Sequence, residues 1–425
     1  MIRRIKNLYH LLVAFLANII NFFPSRKLYI IGVTGTNGKT TTVQMIGKIL
    51  ENAGNKVGIN STINFWIDDK KWINDTKFTT TNALYFQNFL KECADAGCKY
   101  VIAEISSHAL DQNRVWGTKF DMAVITNVTR EHLDYHKNME KYRKTKTKLF
   151  KMTAKNKKTG FSIVNLNMKN PKDFFVGDEN KIYGYAIKKP SIKKLDKKHI
   201  IKAEKLNKLK KGTSFVVDKT RYSTPLPGKF NVENALAAIT VAKILKIKKA
   251  TVKQTLRTLK RIPGRMDPVP NKLGIEIIID YALTPDSMEK VGRLFHSKLK
   301  RRKNKKLIWI FGSCGERDKG KRPIMGNIVS KYADYAIVTN EDPYGENPKQ
   351  IINQIFQGIN KKNLIKAYRI LDRKKAIKKG LNIAKKGDVI LITGKGAEQN
   401  MKIGKYLIKW NDKEVTQELI KEYFS

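Results

Sequence analysis

Near-continuous apolar runs alternate with helix-period stretches along most of the chain. Residues 28–33 (Leu-Tyr-Ile-Ile-Gly-Val) read as a buried strand, followed by a glycine-bearing loop and a helix through Leu50. Residues 100–105 and 122–126 are further apolar runs that end in polar residues, and a helix fits 83–96. Continuous apolarity, rather than strict alternation, marks strands covered on both faces, as in parallel sheets. Residues 154–224 are lysine-rich with short strand-like pieces such as 215–217, and 235–245 form an apolar helix. Pro263-Gly264 then breaks the pattern. A second α/β series follows, with strands expected at 275–279, 307–311, 335–338 and 389–392. There is no internal repeat. At 425 residues the chain exceeds one ordinary core. The pattern predicts an α/β protein with a segment 1–27, a central parallel-sheet domain at 28–262 built around a phosphate loop, and a Rossmann-like α/β domain at 263–425.

The first segment follows a different logic. Residues 8–23 are apolar and come after Arg3, Arg4 and Lys6, but they include His10, Asn18 and Asn21. No small-residue cleavage site follows, and the stretch is short for a bilayer span, which needs about 20 residues. An amphipathic helix is expected. Packing against the protein is preferred, with peripheral membrane contact as the alternative.

Charge changes the picture less than its size suggests. Lys plus Arg number 85 against 37 acids, a formal charge of +48. Such a field attracts anions. The excess is mostly lysine and is spread along the chain, whereas nucleic-acid readers concentrate arginine and aromatics in one patch. No nucleic-acid partner is expected. Cys93, Cys98 and Cys314 make neither a disulfide framework nor a four-ligand zinc site, so reduced thiols in a cytoplasmic protein are expected.

The chemistry begins at Gly35-Thr36-Asn37-Gly38-Lys39-Thr40-Thr41. A loop between a strand and a helix can wrap phosphate oxygens with backbone N–H groups, aided by the helix N-terminus. Lys39 is placed to neutralise phosphates and Thr40 to bind Mg²⁺. The strict Walker spacing wants glycine where Val33 stands. Glu104 lies near a buried strand end, where a carboxylate is costly unless it is paired or metal-bound. His132 and Lys146, taken alone, read as a structural histidine and a surface lysine.

Several strings together resemble the Mur ligase family, and within it the muramyl branch. They are the phosphate loop, Glu104-Ile-Ser-Ser-His-Ala-Leu-Asp-Gln-Asn-Arg114, Glu131-His-Leu-Asp-Tyr-His136 and Lys146-Thr-Lys-Leu-Phe150. Others are Gly228-Lys-Phe-Asn-Val-Glu-Asn234, Pro263-Gly-Arg265-Met, Asp280-Tyr-Ala, residues 315–323 and Gly394-Lys-Gly-Ala-Glu398. The resemblance runs from about residue 28 to 425 in family order. It implies an amide ligase that phosphorylates a carboxylate of a UDP-N-acetylmuramoyl-L-alanyl-D-glutamate-type acceptor with ATP. The amine of an incoming amino acid then attacks. No enzyme nucleophile is needed; positioning and charge neutralisation do the work. The resemblance further implies ATP binding by residues 35–41, Asn234, Arg265 and Asp280, and Mg²⁺ binding by Thr40, Glu104, His132 and a carbamylated Lys146. Arg265 would stabilise the transferred phosphoryl group. Thr79, Thr80, Ser106, Gln112 and Arg114 match positions that hold the muramyl peptide, and Arg317, Asp342 and Glu398 match the amino-acid pocket. A cytoplasmic monomer is expected, at the inner membrane face if residues 8–23 touch lipid.

The sequence departs from the family pattern in five places, one of which is Glu131, standing where the family has aspartate before His132. Family members begin with a further domain for the uridine nucleotide, and here residues 1–27 precede the first strand; a weakly held, partner-held or lipid-linked acceptor is one consequence. Leu283 and Ala397 replace motif histidines. The specificity motif Asp-Asn-Pro-Arg reads Glu341-Asp-Pro-Tyr344. Losing a bidentate carboxylate clamp argues for lysine or another diamino acid over diaminopimelate. Other readings are a folylpolyglutamate- or cyanophycin-type ligase and a non-catalytic ATP-binding, membrane-associated subunit.

Overall fold

The computed structural model describes residues 2–187, 195–209, 211–300, 304–360, 362 and 366–423. The chain divides into two compact units, Met1–Thr129 with Asn138–Lys260, and Arg130–Lys137 with Arg261–Ser425.

The first unit opens with α1 (Ile2–Ile20), then β1 (Tyr29–Thr34), α2 (Lys39–Asn52), β2 (Val57–Asn60), β3 (Asn64–Ile67) and β4 (Lys70–Ile73). There follow α3 (Ala83–Asp95), β5 (Tyr100–Glu104), α4 (Ser107–Asp111) and β6 (Met122–Ile125). The short α5 (Leu133–His136) groups with the second unit. After α6 (Met139–Ala154) come β7 (Phe161–Asn165), β8 (Ile182–Ala186) and β9 (Ile200–Lys202). A separate sheet of β10 (Glu204–Lys208), β11 (Thr213–Val217) and β12 (Thr220–Thr224) precedes α7 (Lys229–Ile244) and α8 (Lys249–Arg257).

The main sheet has the order β4-β3-β2-β5-β1-β6-β7-β8-β9. The strands from β2 to β9 along that order run parallel; β3 and β4 turn back antiparallel at one edge. β1 sits between β5 and β6, so the chain leaves it on one side and returns on the other. That reversal opens a crevice at the carboxyl ends, where ligands bind in such sheets. Beneath the sheet, Ile30, Val101, Ala123 and Val164 pack with Leu149 and Phe150 of α6. Each fully buried large apolar side chain of this kind contributes about 1.5–3 kcal/mol.

The second unit holds β13 (Asp267–Val269), β14 (Glu276–Asp280), α9 (Pro285–Leu299), β15 (Leu307–Phe311), α10 (Lys321–Tyr332) and β16 (Tyr335–Val338). It continues with α11 (Pro348–Phe356), β17 (Lys366–Arg369), α12 (Arg373–Ile383), β18 (Val389–Thr393), the hairpin β19 (Asn400–Ile403)–β20 (Tyr406–Lys409) and α13 (Asp412–Tyr423). Its sheet runs β13-β14-β18-β15-β16-β17, parallel except for β13. The α/β fold is as expected, with strand ends displaced by a residue.

The amphipathic helix is present but extends over Ile2–Ile20 rather than 8–23, and its polarity is reversed. Ala14, Ala17 and Asn18 are buried, while Leu8, Leu12, Phe15, Leu16 and Ile19 are exposed. Asn18 explains the choice, since its amide donates to the carbonyls of Ala14 and Trp116, both at 2.8 Å. The helix stops where Phe22 and Phe23 take left-handed conformations (φ 54° and 51°).

Candidate active site

The loop after β1 is tied down from β6. Thr36 N–H donates to the Asn127 carbonyl at 2.9 Å, and Asn37 N–H to Asn127 Oδ1 at 3.0 Å. Thr126 Oγ1 donates to the Asn37 carbonyl at 2.7 Å. Glycine is required at both glycine positions of the loop. At Gly35 (φ 145°) a Cβ would lie 1.9 Å from Thr126 Oγ1, and at Gly38 (φ 85°) it would lie 2.4 Å from Asn234 Oδ1. Asn234, on α7, also accepts from Thr42 Oγ1 at 3.4 Å. Asn234 is therefore brought to the loop. Thr40 and Thr41 are buried in the first turn of α2.

Two lysines converge on this loop. Lys39 Nζ donates to the carbonyls of Gly35 and Thr36, both at 3.0 Å. Lys146 Nζ reaches the same Gly35 carbonyl from α6, at 3.1 Å. Lys146 is 1 % exposed and lies 4.6 Å from the centroid of the Tyr142 ring. The surface-lysine reading of the sequence is thus corrected. Burial, reinforced by the Lys39 charge, holds the Lys146 amine well below the ordinary lysine value of 10.5.

Glu104 ends β5, fully buried, on the same carboxyl edge as the loop. Its two oxygens accept from Thr62 N–H and Thr62 Oγ1, both at 2.9 Å. Thr62 Oγ1 also lies 3.2 Å from Thr79 Oγ1. Thr80 Oγ1 donates to the Glu104 carbonyl (2.8 Å) and accepts from Ser106 N–H (2.9 Å), and Arg114 Nη1 donates to the Thr80 carbonyl at 3.2 Å. Thr79, Thr80, Ser106 and Arg114 are therefore linked to Glu104 through Thr62 and Thr80. Ser106 caps α4, and Gln112 directly follows that helix. Thr62 was missed in the sequence, where nothing distinguishes it from other loop threonines.

His132, Arg265, Asp280, Arg317, Asp342 and Glu398 all belong to the second unit. His132 takes a left-handed conformation (φ 56°) at the start of α5. Beside it, Glu131 pairs in a buried bridge with Lys321 at 3.0 Å. Asp280 Oδ2 accepts from Met266 N–H at 2.8 Å, shaping the turn that carries Arg265. Burial raises the Asp280 pKa. Arg265 stacks over the Tyr281 ring at 4.3 Å. Asp342 and Glu398 meet at Lys395, which is fully buried. Lys395 Nζ donates to both Asp342 oxygens at 3.0 Å, to Glu398, and to the Asn400 carbonyl at 2.7 Å. Tyr281 donates to Glu398 at 3.0 Å. Arg317 lies 5.8 Å from the ring of Tyr344, the residue that replaces the motif arginine. Sequence reading quoted Lys395 within a motif but gave it no role.

Mg²⁺ favours hard oxygen ligands, of which the protein often supplies only one or two. Among the described residues there is no group of three or more His, Cys, Asp or Glu that could hold a metal. Glu104 and the Thr40 hydroxyl nevertheless suit a magnesium ion whose other ligands are phosphate and water.

Family models match both parts of the chain. The Mur ligase middle domain covers residues 33–242, and the Mur ligase glutamate ligase domain covers 264–396. A relative from Caldanaerobacter subterraneus subsp. tengcongensis, named UDP-N-acetylmuramoyl-L-alanyl-D-glutamate–2,6-diaminopimelate ligase, is 40% identical over 95% of this chain and 80% of its own length. The chain belongs to the Mur ligase family. A solved structure of a ligase of that same name matches this Mur ligase with TM-score 0.59 and 29% identity, over 93% of this chain and 78% of the other. A Mycobacterium tuberculosis folylpolyglutamate synthase complexed with ADP gives TM-score 0.71 at 14% identity, over 90% and 91%, which speaks to the fold alone. No described helix is long and apolar enough to cross a membrane.

Proposed function

We propose that this chain is an ATP-dependent ligase that adds a diamino acid, lysine or another, to a UDP-N-acetylmuramoyl-L-alanyl-D-glutamate-type acceptor in peptidoglycan synthesis. The observation that carries the reading is the convergence of Lys39 and Lys146 on the Gly35 carbonyl at the mouth of the loop. A pure ATP-binding subunit would need Lys39 alone. The 40% identity to a ligase of that substrate class weighs against the folylpolyglutamate alternative, whose likeness lies in the fold.

In this reading residues 35–41 and Asn234 hold the nucleotide phosphates, and Arg265 and Asp280 act on the nucleotide side. Glu104 and Thr40 serve Mg²⁺, with His132 as a further ligand. The ion, when bound, neutralises phosphate charge. The unprotonated form of Lys146, which burial and the nearby Lys39 charge favour, attacks carbon dioxide through its lone pair; the N–C bond forms as one C=O π pair moves onto oxygen, and a nitrogen proton of the adduct goes to solvent. A cation-capable group thereby becomes an anionic carbamate beside the phosphates. Thr79, Thr80, Ser106, Gln112 and Arg114 face the muramyl peptide. Arg317 takes the carboxylate of the amino acid. Asp342 and Glu398 act there through Lys395, because their oxygens already hold its ammonium. ATP and nucleotide-linked acceptors are cytoplasmic, so the reaction belongs there, by a monomer whose residues 8–23 lie at the inner membrane face.

The test offers purified protein ATP, Mg²⁺ and UDP-muramyl-dipeptide with lysine, diaminopimelate and other amino acids. Phosphate release that depends on one diamino acid supports the ligase. ATP binding with no release for any amino acid would favour the non-catalytic subunit.

A further inference from the structure

Helix α1 carries its large apolar side chains on the wrong side for a soluble protein. Residues 5, 8, 9, 12, 15, 16, 19 and 20 share one helical face by their spacing of three and four. All are apolar or tyrosine, and all are exposed: Leu8 57%, Leu12 55%, Leu16 55% and Ile20 63%. The opposite face, with Ala14, Ala17 and Asn18, is the one anchored to the fold. A contiguous apolar patch of this kind marks an interaction surface.

A second feature adjoins it. A pocket of about 650 Å³ is lined by apolar side chains that include Trp116 and Met152 and by Lys119, Lys148, Lys151, Lys155 and Lys157. The two features share Trp116. Phe15 of α1 packs on its ring, with centroids 5.8 Å apart, and Asn18 donates to its carbonyl at 2.8 Å. At Gly117, a pocket residue, an added Cβ would sit 2.7 Å from Asn18 Nδ2, so helix and pocket are fitted to each other. An apolar face beside a pocket lined by both apolar side chains and several lysines is complementary to a surface that presents acyl chains and phosphates together.

We propose that the outer face of α1 and the pocket at Trp116 form one docking surface for a membrane leaflet containing anionic phospholipid, α1 lying in the acyl boundary and a headgroup phosphate entering the pocket. This rests on the placement of residues 8–23 at the membrane and not on the ligase reaction.

The test is flotation of the full chain with vesicles of phosphatidylcholine alone or in equal parts with phosphatidylglycerol. Binding is expected to the mixed vesicles and to be weak on the neutral ones. A lysine near an anionic surface is worth about fivefold in binding. The triple variant Lys151→Glu, Lys155→Glu, Lys157→Glu should therefore bind the mixed vesicles at least about a hundredfold more weakly. Leu12→Glu with Phe15→Glu should abolish binding, the circular dichroism spectrum remaining that of the parent. The control Lys248→Glu, Lys249→Glu, Lys253→Glu changes net charge equally on the exposed end of α8 and should keep binding within a few-fold. Equal loss from the control would mean bulk charge alone and overturn the proposal. Binding that needs α1 but ignores the pocket lysines would overturn the pocket while leaving α1 at the membrane. No vesicle binding, with a dimer that Leu12→Glu dissociates, would show that α1 faces a second copy of the chain and overturn both. Phosphate release from the soluble acceptor should be unchanged in all these variants, so a failure of the ligase reading would appear separately.

Discussion

Two fully buried lysines occupy opposite electrostatic worlds. Lys395 is enclosed by two carboxylates and a backbone carbonyl, and its pKa is raised despite desolvation. Lys146 has one carbonyl, an aromatic face and a neighbouring cation, and its pKa falls well below 10.5. Burial alone predicts nothing about a lysine's chemistry; its neighbours do. The first is an ion that organises carboxylates, and the second is an amine whose charged form its surroundings disfavour.

The comparison can be broken most forcefully at the loop. Lys39→Ala removes the phosphate-facing cation and should cut amino-acid-dependent phosphate release by at least about a thousandfold. Lys146→Ala should lose about a hundredfold and recover part of it with added short carboxylates such as acetate; full activity without Lys146 would end its special status. For stability the order reverses. Lys395→Met leaves the buried Asp342 and the half-buried Glu398 without their cation and should cost about 3 kcal/mol or more in denaturant melts. Lys146→Met removes a buried amine whose charged form desolvation disfavours and should leave the melting temperature unchanged or higher.

The pH dependence carries opposite signs. Lys146 binds its proton more weakly folded than unfolded, so its contribution to stability improves as pH rises from its lowered folded pKa towards 10.5. Lys395 binds its proton more tightly folded, so its contribution is complete below 10.5 and is lost as pH rises above it. Lys146→Met should flatten the first slope and Lys395→Met the second, read from urea midpoints across pH. The smallest expected effect is Tyr344→Arg, which restores a carboxylate clamp and should shift preference towards diaminopimelate over lysine by about tenfold.

The sequence made the strands legible because parallel strands covered on both faces cannot hide their apolar runs, and residues 307–311 or 335–338 need no tertiary knowledge. The phosphate loop was legible through its glycines, which the contacts of Gly35 and Gly38 make obligatory. Burial of charged residues was not. Lys146 sits in a helix of mostly polar composition, and only the Gly35 carbonyl and Tyr142 reveal that it points inward. Lys395 and Thr62 likewise acquire meaning from partners far away in sequence, Asp342 and Glu104. The reversed polarity of α1 was hidden for the same reason, since its period is right for either face and Asn18 selects one only through Trp116.

The most direct measurement is a ¹³C NMR spectrum of the protein in ¹³C-labelled bicarbonate. The account predicts a carbamate resonance that disappears in Lys146→Ala, stays in Lys395→Met and grows with activity as bicarbonate is added. An active enzyme in carbon-dioxide-free buffer with no such resonance would contradict it.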